Sequence, residues 1–170
     1  MMTTGRSMQL TKQVGEYLVS AELCRLGFIA TTFTGNVPEF DILAINEKYE
    51  TIPIQVKAIR AGSWQFNARK LLDISIRDDK QQVNGKKDLQ YSKLICIYVK
   101  LISRGKDEFY IFRLKNLQDI IFNGYSSYLR EHRGRRPKNP NSTHTAVSPK
   151  DLSKYRDKWD LLKERYEQGV

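Results

Sequence analysis

The chain has 170 residues, and its 29 Lys or Arg against 19 Asp or Glu give a formal net charge of +10 at pH 7. This length fits one domain, and the apolar content of 40% is enough for a hydrophobic core without disulfide or metal staples. The charge favours an anionic polymer such as nucleic acid over an acidic small molecule, and a generically basic soluble protein is the alternative.

The first predicted element is a helix over residues 8–26, because apolar residues recur at helical spacing and Gly27 follows as a stop signal. A second apolar line on this helix contains Val19 and Leu23, and Glu16 lies on that line. A helix that is apolar on two sides is expected to pack on both, and an acid there reaches solvent or points towards a site. The first apolar line consists of Leu10, Val14, Tyr17, Leu18, Ala21 and Cys24.

Residues 28–33 predict a first strand, and the apolar runs at 42–45 and 52–56 predict a hairpin centred near Lys48. Antiparallel pairing about that centre sets Asp41 opposite Gln55. Because side chains alternate between the faces of a strand, Asp41, Gln55 and Lys57 are expected on one face. Their apolar neighbours are expected on the other face, packed against a helix: Ile42, Ala44, Ile54 and Val56.

An acid, an amide and a lysine on one face are typical of metal-assisted phosphodiester hydrolysis. Oxygen ligands hold Mg²⁺, the metal polarises the phosphate, and the ammonium orients or acidifies the attacking water. Each residue also has an ordinary structural interpretation: Asp41 as a turn cap, Gln55 as an exposed strand residue and Lys57 as an edge charge. Pro53 indicates an edge or a bulge.

The order of these residue types resembles the PD-(D/E)XK nuclease superfamily, which has the restriction-endonuclease-like fold. The layout is nearest to Holliday-junction resolvases and one branch of intron homing endonucleases. The resemblance implies that Asp41 is a metal ligand, Lys57 the catalytic lysine and Glu16 an auxiliary acid. It covers about the first half of the chain, through Gly15-Glu16, Pro38-Glu39-Phe40-Asp41, Gln55-Val56-Lys57 and Ser63-Trp64-Gln65-Phe66-Asn67.

Two departures from that pattern matter: the first is common loop variation in such enzymes, and the second removes a negative charge from the metal site. The proline stands three residues before Asp41 rather than directly before it, and Gln55 occupies the place usually held by Asp or Glu. An amide oxygen binds Mg²⁺ more weakly than a carboxylate, so Glu16 or Glu39 would have to supply the missing charge. We therefore predict Mg²⁺ or Mn²⁺ as the cofactor, held by Asp41, the Gln55 side-chain oxygen, the Val56 carbonyl and Glu16.

Residues 51–72 contain basic and aromatic side chains and no acid. This interleaving predicts phosphate contacts by Arg60, Arg69 and Lys70 and base stacking by Trp64. The alternative is that the aromatic residues belong to the core, which is the preferred interpretation for Phe66.

The polar segment 78–93 predicts a mobile loop with a turn at Asn84-Gly85. Residues 130–147 predict a basic loop, with solvated disorder as the alternative. It is expected to contact phosphates through Arg133, Arg135, Arg136 and Lys138. The strands and the helix predicted in this half lie at residues 64–68, 72–76, 94–99, 109–114 and 117–129.

Ser148-Pro149, with Asp151 three residues after the serine, predicts the start of an amphipathic helix over residues 149–167. The apolar stripe of this helix is expected to pack on the domain or on a partner subunit. Cutting both strands of a duplex favours two chains, so a homodimer or higher even homo-oligomer is expected. The stripe consists of Leu152, Tyr155, Trp159, Leu162 and Tyr166.

The fold expected for residues 1–170 is a single α/β domain. A restriction-endonuclease-like core over residues 8–131, with a central mixed β-sheet flanked by α-helices, precedes a C-terminal helical extension. Cys24 and Cys96 are expected to be small core residues, and the sequence has no apolar run of membrane-spanning length, which predicts a cytoplasmic protein. The function expected is a Mg²⁺-dependent DNA endonuclease. Alternatives are a catalytically weak or inactive nuclease-fold protein that binds nucleic acid, which Gln55 favours, and a basic interaction protein without DNA affinity.

Overall fold

The computed structural model describes residues 5–33 and 39–164. Single-turn 3-10 helices lie at Ala68–Lys70 and Ser153–Tyr155. Across these two ranges, no helix has both the length and the apolar character needed to cross a membrane. The elements in chain order are α1 (Gly5–Arg25), β1 (Ile29–Thr32), β2 (Ile42–Ile45), β3 (Thr51–Ile59), β4 (Trp64–Asn67), β5 (Leu72–Arg77), β6 (Lys80–Lys86), β7 (Ile95–Lys100), β8 (Glu108–Arg113), α2 (Leu114–Glu131), β9 (His144–Val147) and α3 (Leu161–Glu164).

The central sheet is mixed and has the strand order β1-β2-β3-β7-β8. Strands β3 and β7 are parallel, and the other neighbours in this sheet are antiparallel. One apolar cluster packs between the sheet and α1, and a second packs between the sheet and α2. We call these the α1-side and α2-side clusters. The predicted α/β fold with a central mixed sheet flanked by helices is therefore confirmed.

The β2–β3 hairpin has the predicted register. Ile42 lies opposite Ile54 and Ile45 lies opposite Thr51, so the turn is centred near Lys48. The residues predicted to face a helix are all buried in the α1-side cluster: Ile42, Ala44, Ile54 and Val56. Strand alternation and turn position were sufficient to predict this arrangement.

Helix α1 packs on the sheet through its second apolar line. Val19 and Leu23 are fully buried, and Gly15 approaches β3 so closely that a Cβ on it would lie 2.5 Å from the Ala58 Cβ. This contact turns the first line away from the sheet, so the expectations of packing on both sides and of a buried Cys24 are wrong, whereas Cys96 is buried. The exposed residues of the first line are Leu10, Val14, Tyr17, Ala21 and Cys24.

The segment predicted as a mobile loop over residues 78–93 contains strand β6, which pairs antiparallel with β5. The hairpin turn lies at Asp78-Asp79, whose φ angles of 50° and 59° suit a two-residue primed turn. The predicted turn at Asn84-Gly85 is wrong, because these residues lie in β6 where the register shifts opposite Asp73. The shift is a β-bulge, a feature that glycine favours and that resembles a turn in the sequence.

The C-terminal segment does not form the predicted helix over residues 149–167. The predicted cap forms, since the Ser148 N–H donates to Asp151 Oδ2 at 2.8 Å, but only a 3-10 turn and the short α3 follow. Between them Asp157 has a φ of 52°, and its N–H donates to the Phe109 carbonyl at 2.9 Å. This left-handed residue and its bond to β8 interrupt the helical pattern.

The stripe predicted for that helix is divided between the two apolar clusters. Leu152 and Tyr155 pack in the α2-side cluster, whereas Trp159 and Leu162 pack in the α1-side cluster. A straight helix cannot reach both faces of one sheet, so the chain bends around the β8 edge. Tyr166 lies outside the described residues.

The predicted basic loop over residues 130–147 is only partly irregular. Helix α2 continues to Glu131, and β9 pairs antiparallel with β4, with Val147 opposite Trp64. Strand β9 is short and lacks a clear alternation, so the sequence did not predict it. The irregular part, residues 132–143, lies between α2 and this small sheet.

Candidate active site

Asp41 directly precedes the first residue of β2 and lies beside β3. Its N–H donates to the Ile54 carbonyl at 2.8 Å, and its Oδ2 accepts the Val56 N–H at 2.9 Å. The carboxylate therefore lies beside β3. Gln55 and Lys57 line a cleft on the α2 side.

Lys12 of α1 pairs with two acids at this point. Its Nζ lies 3.3 Å from Asp41 Oδ1 and 3.4 Å from Glu16 Oε1. The side chains of Asp41 and Glu16 are 19% and 16% exposed, whereas that of Lys12 is 57% exposed. Of the two orientations expected for Glu16, the side chain thus takes the one beside the predicted site.

The pKa values of this group reflect burial and mutual charge. Burial raises the pKa of the Glu16 carboxyl above 4.5, against the opposing effect of Lys12, and the Asp41 charge raises it further. Burial alone would lower the pKa of the Lys12 ammonium, but the two carboxylates outweigh it, so its pKa lies above 10.5. The two carboxylates therefore stabilise the charged form of Lys12.

The Val56 carbonyl and the Gln55 side chain are the other predicted ligands. The N–H and C=O of one strand residue point to the same side, so the Val56 carbonyl is directed past the end of β2 like its N–H. Gln55 Nε2 lies 3.5 Å from the Glu39 carbonyl. Pro38 lies outside the described residues.

A site with two acids has fewer carboxylate ligands than proteins usually provide for a hard cation. Within residues 5–33 and 39–164, no three His, Cys, Asp or Glu side chains are grouped so that they could hold a metal ion. Asp41 and Glu16 form a pair, and all further ligands would be neutral oxygens from Val56, Gln55 or water. This small number of acids agrees with the sequence, in which Gln55 occupies the place usually held by Asp or Glu.

Lys57 and Gln55 line a cleft of about 640 Å³ on the α2 side. The Lys57 Nζ lies 5.8 Å from the centroid of the Phe66 ring. Burial raises the pKa of the Cys96 thiol to about 12, with Lys57 opposing this rise and Asp41 adding to it, so both charges act at one buried point. Further cleft residues are Gln65, Asn67, Lys70, Ser142, Thr143 and His144.

Of the two aromatic residues of β4, Trp64 is buried in the core, and Phe66 packs against the α2-side cluster at the edge of the cleft. Trp64 is 2% exposed, its Nε1 donates to the Lys57 carbonyl at 3.3 Å, and its ring packs on Tyr98. It is a core residue, so the prediction of base stacking by Trp64 is wrong. Phe66 is half-buried, lines the cleft and stacks on Tyr98 with centroids 6.1 Å apart. Trp64 and Phe66 are two residues apart, so strand alternation places both on one face, and only their packing partners distinguish their burial.

The basic residues that were predicted to contact phosphate in the first half of the chain are exposed, but they lie on different parts of the surface. Lys70 lines the cleft. The Arg60 Nε donates to Thr11 Oγ1 at 3.0 Å, which ties the end of β3 to α1. Arg69 lies 3.4 Å from the Ile74 carbonyl.

The basic residues that were predicted to contact phosphate in the second half of the chain also differ in their surroundings. Arg133, Arg135 and Lys138 are exposed. Arg136 is half-buried; its guanidinium donates to the His144 carbonyl at 2.7 Å and lies 5.3 Å from the Tyr128 ring centroid. Arg136 therefore holds the loop to β9 and α2, and its bonding capacity is largely used within the fold.

Lys12 is the site residue that sequence reasoning did not identify. Its spacing of four residues from Glu16 is the usual signal for an ion pair on one helix face. The bond to Asp41 has no local signal, because it joins α1 to the end of β2. His144, the cleft residue of β9, was also missed, since the strand itself was not predicted.

No family model matches the chain, and neither does any curated protein. A bacterial homing endonuclease has a TM-score of 0.49 and 12% identity, over 96% of this chain and 99% of that chain. The Holliday junction resolvase Hjc of Archaeoglobus fulgidus has a TM-score of 0.38 and 16% identity, over 62% of this chain and 74% of that chain. Both of these proteins are nucleases.

Proposed function

We propose that this protein is a DNA endonuclease that depends on Mg²⁺ or Mn²⁺. The observation that supports it is the Lys12 ammonium between Asp41 and Glu16, next to a cleft that contains Lys57. The pairing of both carboxylates with one ammonium supports the proposal, because the two acids lie close enough to share one cation. The net charge of +10 suits a polyanionic substrate.

The donor atoms are oxygens, which is the type that a hard divalent cation takes, although only two of them come from acids. Asp41 and Glu16 would hold it through carboxylate oxygens, and the Val56 carbonyl and the Gln55 side-chain oxygen would add neutral ligands. When bound, such an ion supplies positive charge to a scissile phosphate. With two acids and neutral ligands, we expect weaker binding than at a site of three carboxylates.

The protein side chains have separate tasks in this proposal. Asp41 is oriented by the Val56 N–H, so one of its oxygens is directed towards α1 and Glu16. The Lys57 ammonium, on the cleft side, would orient the attacking water and balance negative charge at the phosphate. Phe66 and Lys70 would contact the nucleic acid along the cleft.

The alternative function is a nuclease-fold protein that binds nucleic acid but has little or no catalytic activity. Gln55 supports this alternative, because it lies where a third acidic ligand would be expected. The two functions differ in metal binding. An inactive protein would bind duplex DNA without measurable calorimetric binding of Mg²⁺, whereas an active one would bind both.

The test is cleavage of plasmid DNA in Mg²⁺ by the Lys57→Ala variant. We expect at least about a 10²-fold loss of rate, which is typical for a lost general acid–base or electrostatic group. Lys48→Ala is the matched control, because Lys48 is an exposed lysine in the β2–β3 turn, at the other end of β2 from Asp41. Cleavage by Lys57→Ala at the rate of the control would contradict the proposal.

A homodimer is part of the same proposal, because two sites are needed to cut both strands together. The C-terminal aromatic residues Tyr155 and Trp159 are packed within the domain. The exposed apolar line of α1, with Leu10, Val14 and Tyr17, is therefore the surface that we propose for pairing. Sedimentation of the protein and of Tyr17→Glu tests it, with a monomeric wild-type protein as the contradicting result.

A further inference from the structure

An open groove of about 760 Å³ lies between the β5–β6 hairpin and the start of the loop over residues 132–143. Four basic side chains line it, namely Arg77, Lys80, Arg133 and Arg135, and Asp78 is the acid among the lining residues. These four are exposed. We call this surface the hairpin groove. Its net positive charge suits an extended anion.

The groove is held in shape by the backbone. The Gln81 N–H donates to the Gly134 carbonyl at 2.8 Å, and the Gly134 N–H donates to the Leu129 carbonyl at 2.7 Å. Gly134 has a φ of 77°, and a Cβ on it would lie 3.1 Å from the Gln81 carbonyl oxygen. The loop that carries Arg133 and Arg135 is thus fixed against β6, so binding would cost little ordering entropy.

The side chain of Gln81 joins the hairpin groove to the cleft of Lys57. Gln81 is 4% exposed; its Nε2 donates to the Pro140 carbonyl and, at 3.0 Å, to the Ser142 carbonyl. Its Oε1 accepts the Tyr125 hydroxyl at 2.5 Å. Ser142 lines the cleft and Gln81 lines the groove. The two surfaces are therefore neighbours within one hydrogen-bonded framework.

We propose that the hairpin groove binds the phosphate backbone of duplex DNA at a position flanking the cleavage site. This inference depends on the proposed nuclease function for the identity of the cleft. Guanidinium and ammonium groups on a fixed surface match phosphates without reading bases, so the groove contributes affinity and register but no sequence preference. It also gives the β5–β6 hairpin a role, since only one side of it is packed on the domain.

The test compares two double variants that remove the same residue types. Lys80→Ala/Arg135→Ala removes two charges from the groove. Arg25→Ala/Lys48→Ala removes two exposed charges at the far end of α1 and in the β2–β3 turn, and Arg25 lies about 20 Å along the helix from Lys12. Both variants lose two positive charges, so net charge cannot explain a difference between them.

Binding of a fluorescent duplex is measured by anisotropy in EDTA over a range of salt concentrations, so that no cleavage occurs. For Lys80→Ala/Arg135→Ala we expect the slope of log K against log salt to become shallower by about 0.9 for each phosphate that the protein no longer neutralises. The control pair is expected to keep the wild-type slope. Both variants should unfold at the wild-type temperature.

Equal slopes for the groove variant and the wild type would overturn the inference. An equal loss in both double variants would indicate an effect of net charge alone and would also overturn it. Plasmid cleavage in Mg²⁺ by the wild type is scored separately, so groove failure is distinguishable from failure of the nuclease proposal. No duplex binding by the wild type at low salt would overturn both.

Discussion

The Lys12 ammonium lies 3.3 Å from Asp41 Oδ1, so a residue of α1 is ion-paired with the acid at the end of β2. The same Nζ lies 3.4 Å from Glu16. A divalent cation bound between these acids would compete with Lys12 for their charge. Because Lys12 is largely exposed, its side chain can move to solvent when another cation binds.

The first prediction is that Lys12→Met increases the affinity for Mg²⁺. An exposed ion pair contributes roughly 0.2–1 kcal/mol, so loss of both competing pairs should tighten binding by about twofold to about thirtyfold. Isothermal titration calorimetry with Mg²⁺ measures it, and Lys12→Arg, which keeps the charge, is the control. Weaker binding by Lys12→Met would mean that Lys12 does not compete with the metal.

The second prediction concerns the closest approach of α1 to the sheet. Gly15→Ala would place a Cβ 2.5 Å from the Ala58 Cβ, and overpacking of this kind destabilises by roughly 1–3 kcal/mol. Gly124→Ala is the control, because no atom lies within 4 Å of its Cβ position in α2. This exposed helix site should gain roughly 0.5–1 kcal/mol. Urea unfolding measures both, and equal effects would contradict the packing described.

The third prediction separates the two aromatic residues of β4. Trp64→Ala removes a fully packed ring and should reduce the free energy of unfolding by about 3–5 kcal/mol. Phe66→Ala should cost less stability, because its ring is half-buried, but should weaken binding of single-stranded DNA by about 1–3 kcal/mol. Urea unfolding and fluorescence anisotropy measure the two effects. If Trp64→Ala weakened DNA binding and Phe66→Ala caused the larger loss of stability, Trp64 would be the contact residue.

The fourth prediction concerns pH. Glu108 accepts the Tyr110 hydroxyl at 2.7 Å and pairs with Arg156 at 3.0 Å and with Lys100 at 3.6 Å. The Tyr110 hydrogen bond, and then the two cations, hold the pKa of Glu108 below 4.5 against the effect of burial. A lowered pKa in the folded state means that this stabilisation is present above pH 4.5 and is lost as pH falls through the folded value.

Glu108→Gln should therefore show a smaller decrease in the free energy of unfolding on acidification than the wild type. Urea unfolding at neutral pH and at several values below 4.5 provides the comparison. Because Arg156 belongs to the C-terminal segment, proteolysis near residues 153–164 should increase in the wild type at the same acidic pH. Identical pH profiles for the two proteins would show that Glu108 does not contribute.

The sequence alone determined the β2–β3 hairpin and its consequences. Alternating polarity and a polar turn near Lys48 are local signals, and together they require Ile42 opposite Ile54 and Asp41 next to the Gln55–Lys57 stretch. Helix α2 and the buried strand β7 were predicted for the same reason. Apolar periodicity is a property of neighbouring residues, and it suffices when one element has one buried face.

Only the tertiary structure decided which apolar residues of an element are most deeply buried. On α1, the contact of Gly15 with Ala58 selects the Val19 line over the Leu10 line. On β4, Trp64 and Phe66 share one face and both contact the Tyr98 ring, and the bond of the Trp64 Nε1 to the Lys57 carbonyl accompanies the deeper burial of Trp64. In each case the sequence contains both options, and the choice depends on a partner distant in the chain.

Contacts between segments that are distant in the chain also account for the candidate site and the C-terminal segment. The Val56 N–H draws the Asp41 carboxylate beside β3, and Lys12 reaches it from α1, so the site is assembled from three separated segments. The local signals near Ser148 correctly predicted a helical cap, but two apolar clusters on opposite faces of the sheet compete for the stripe that follows. Burial on both faces releases more apolar surface from water than one exposed helix could, and this long-range gain outweighs local helix propensity.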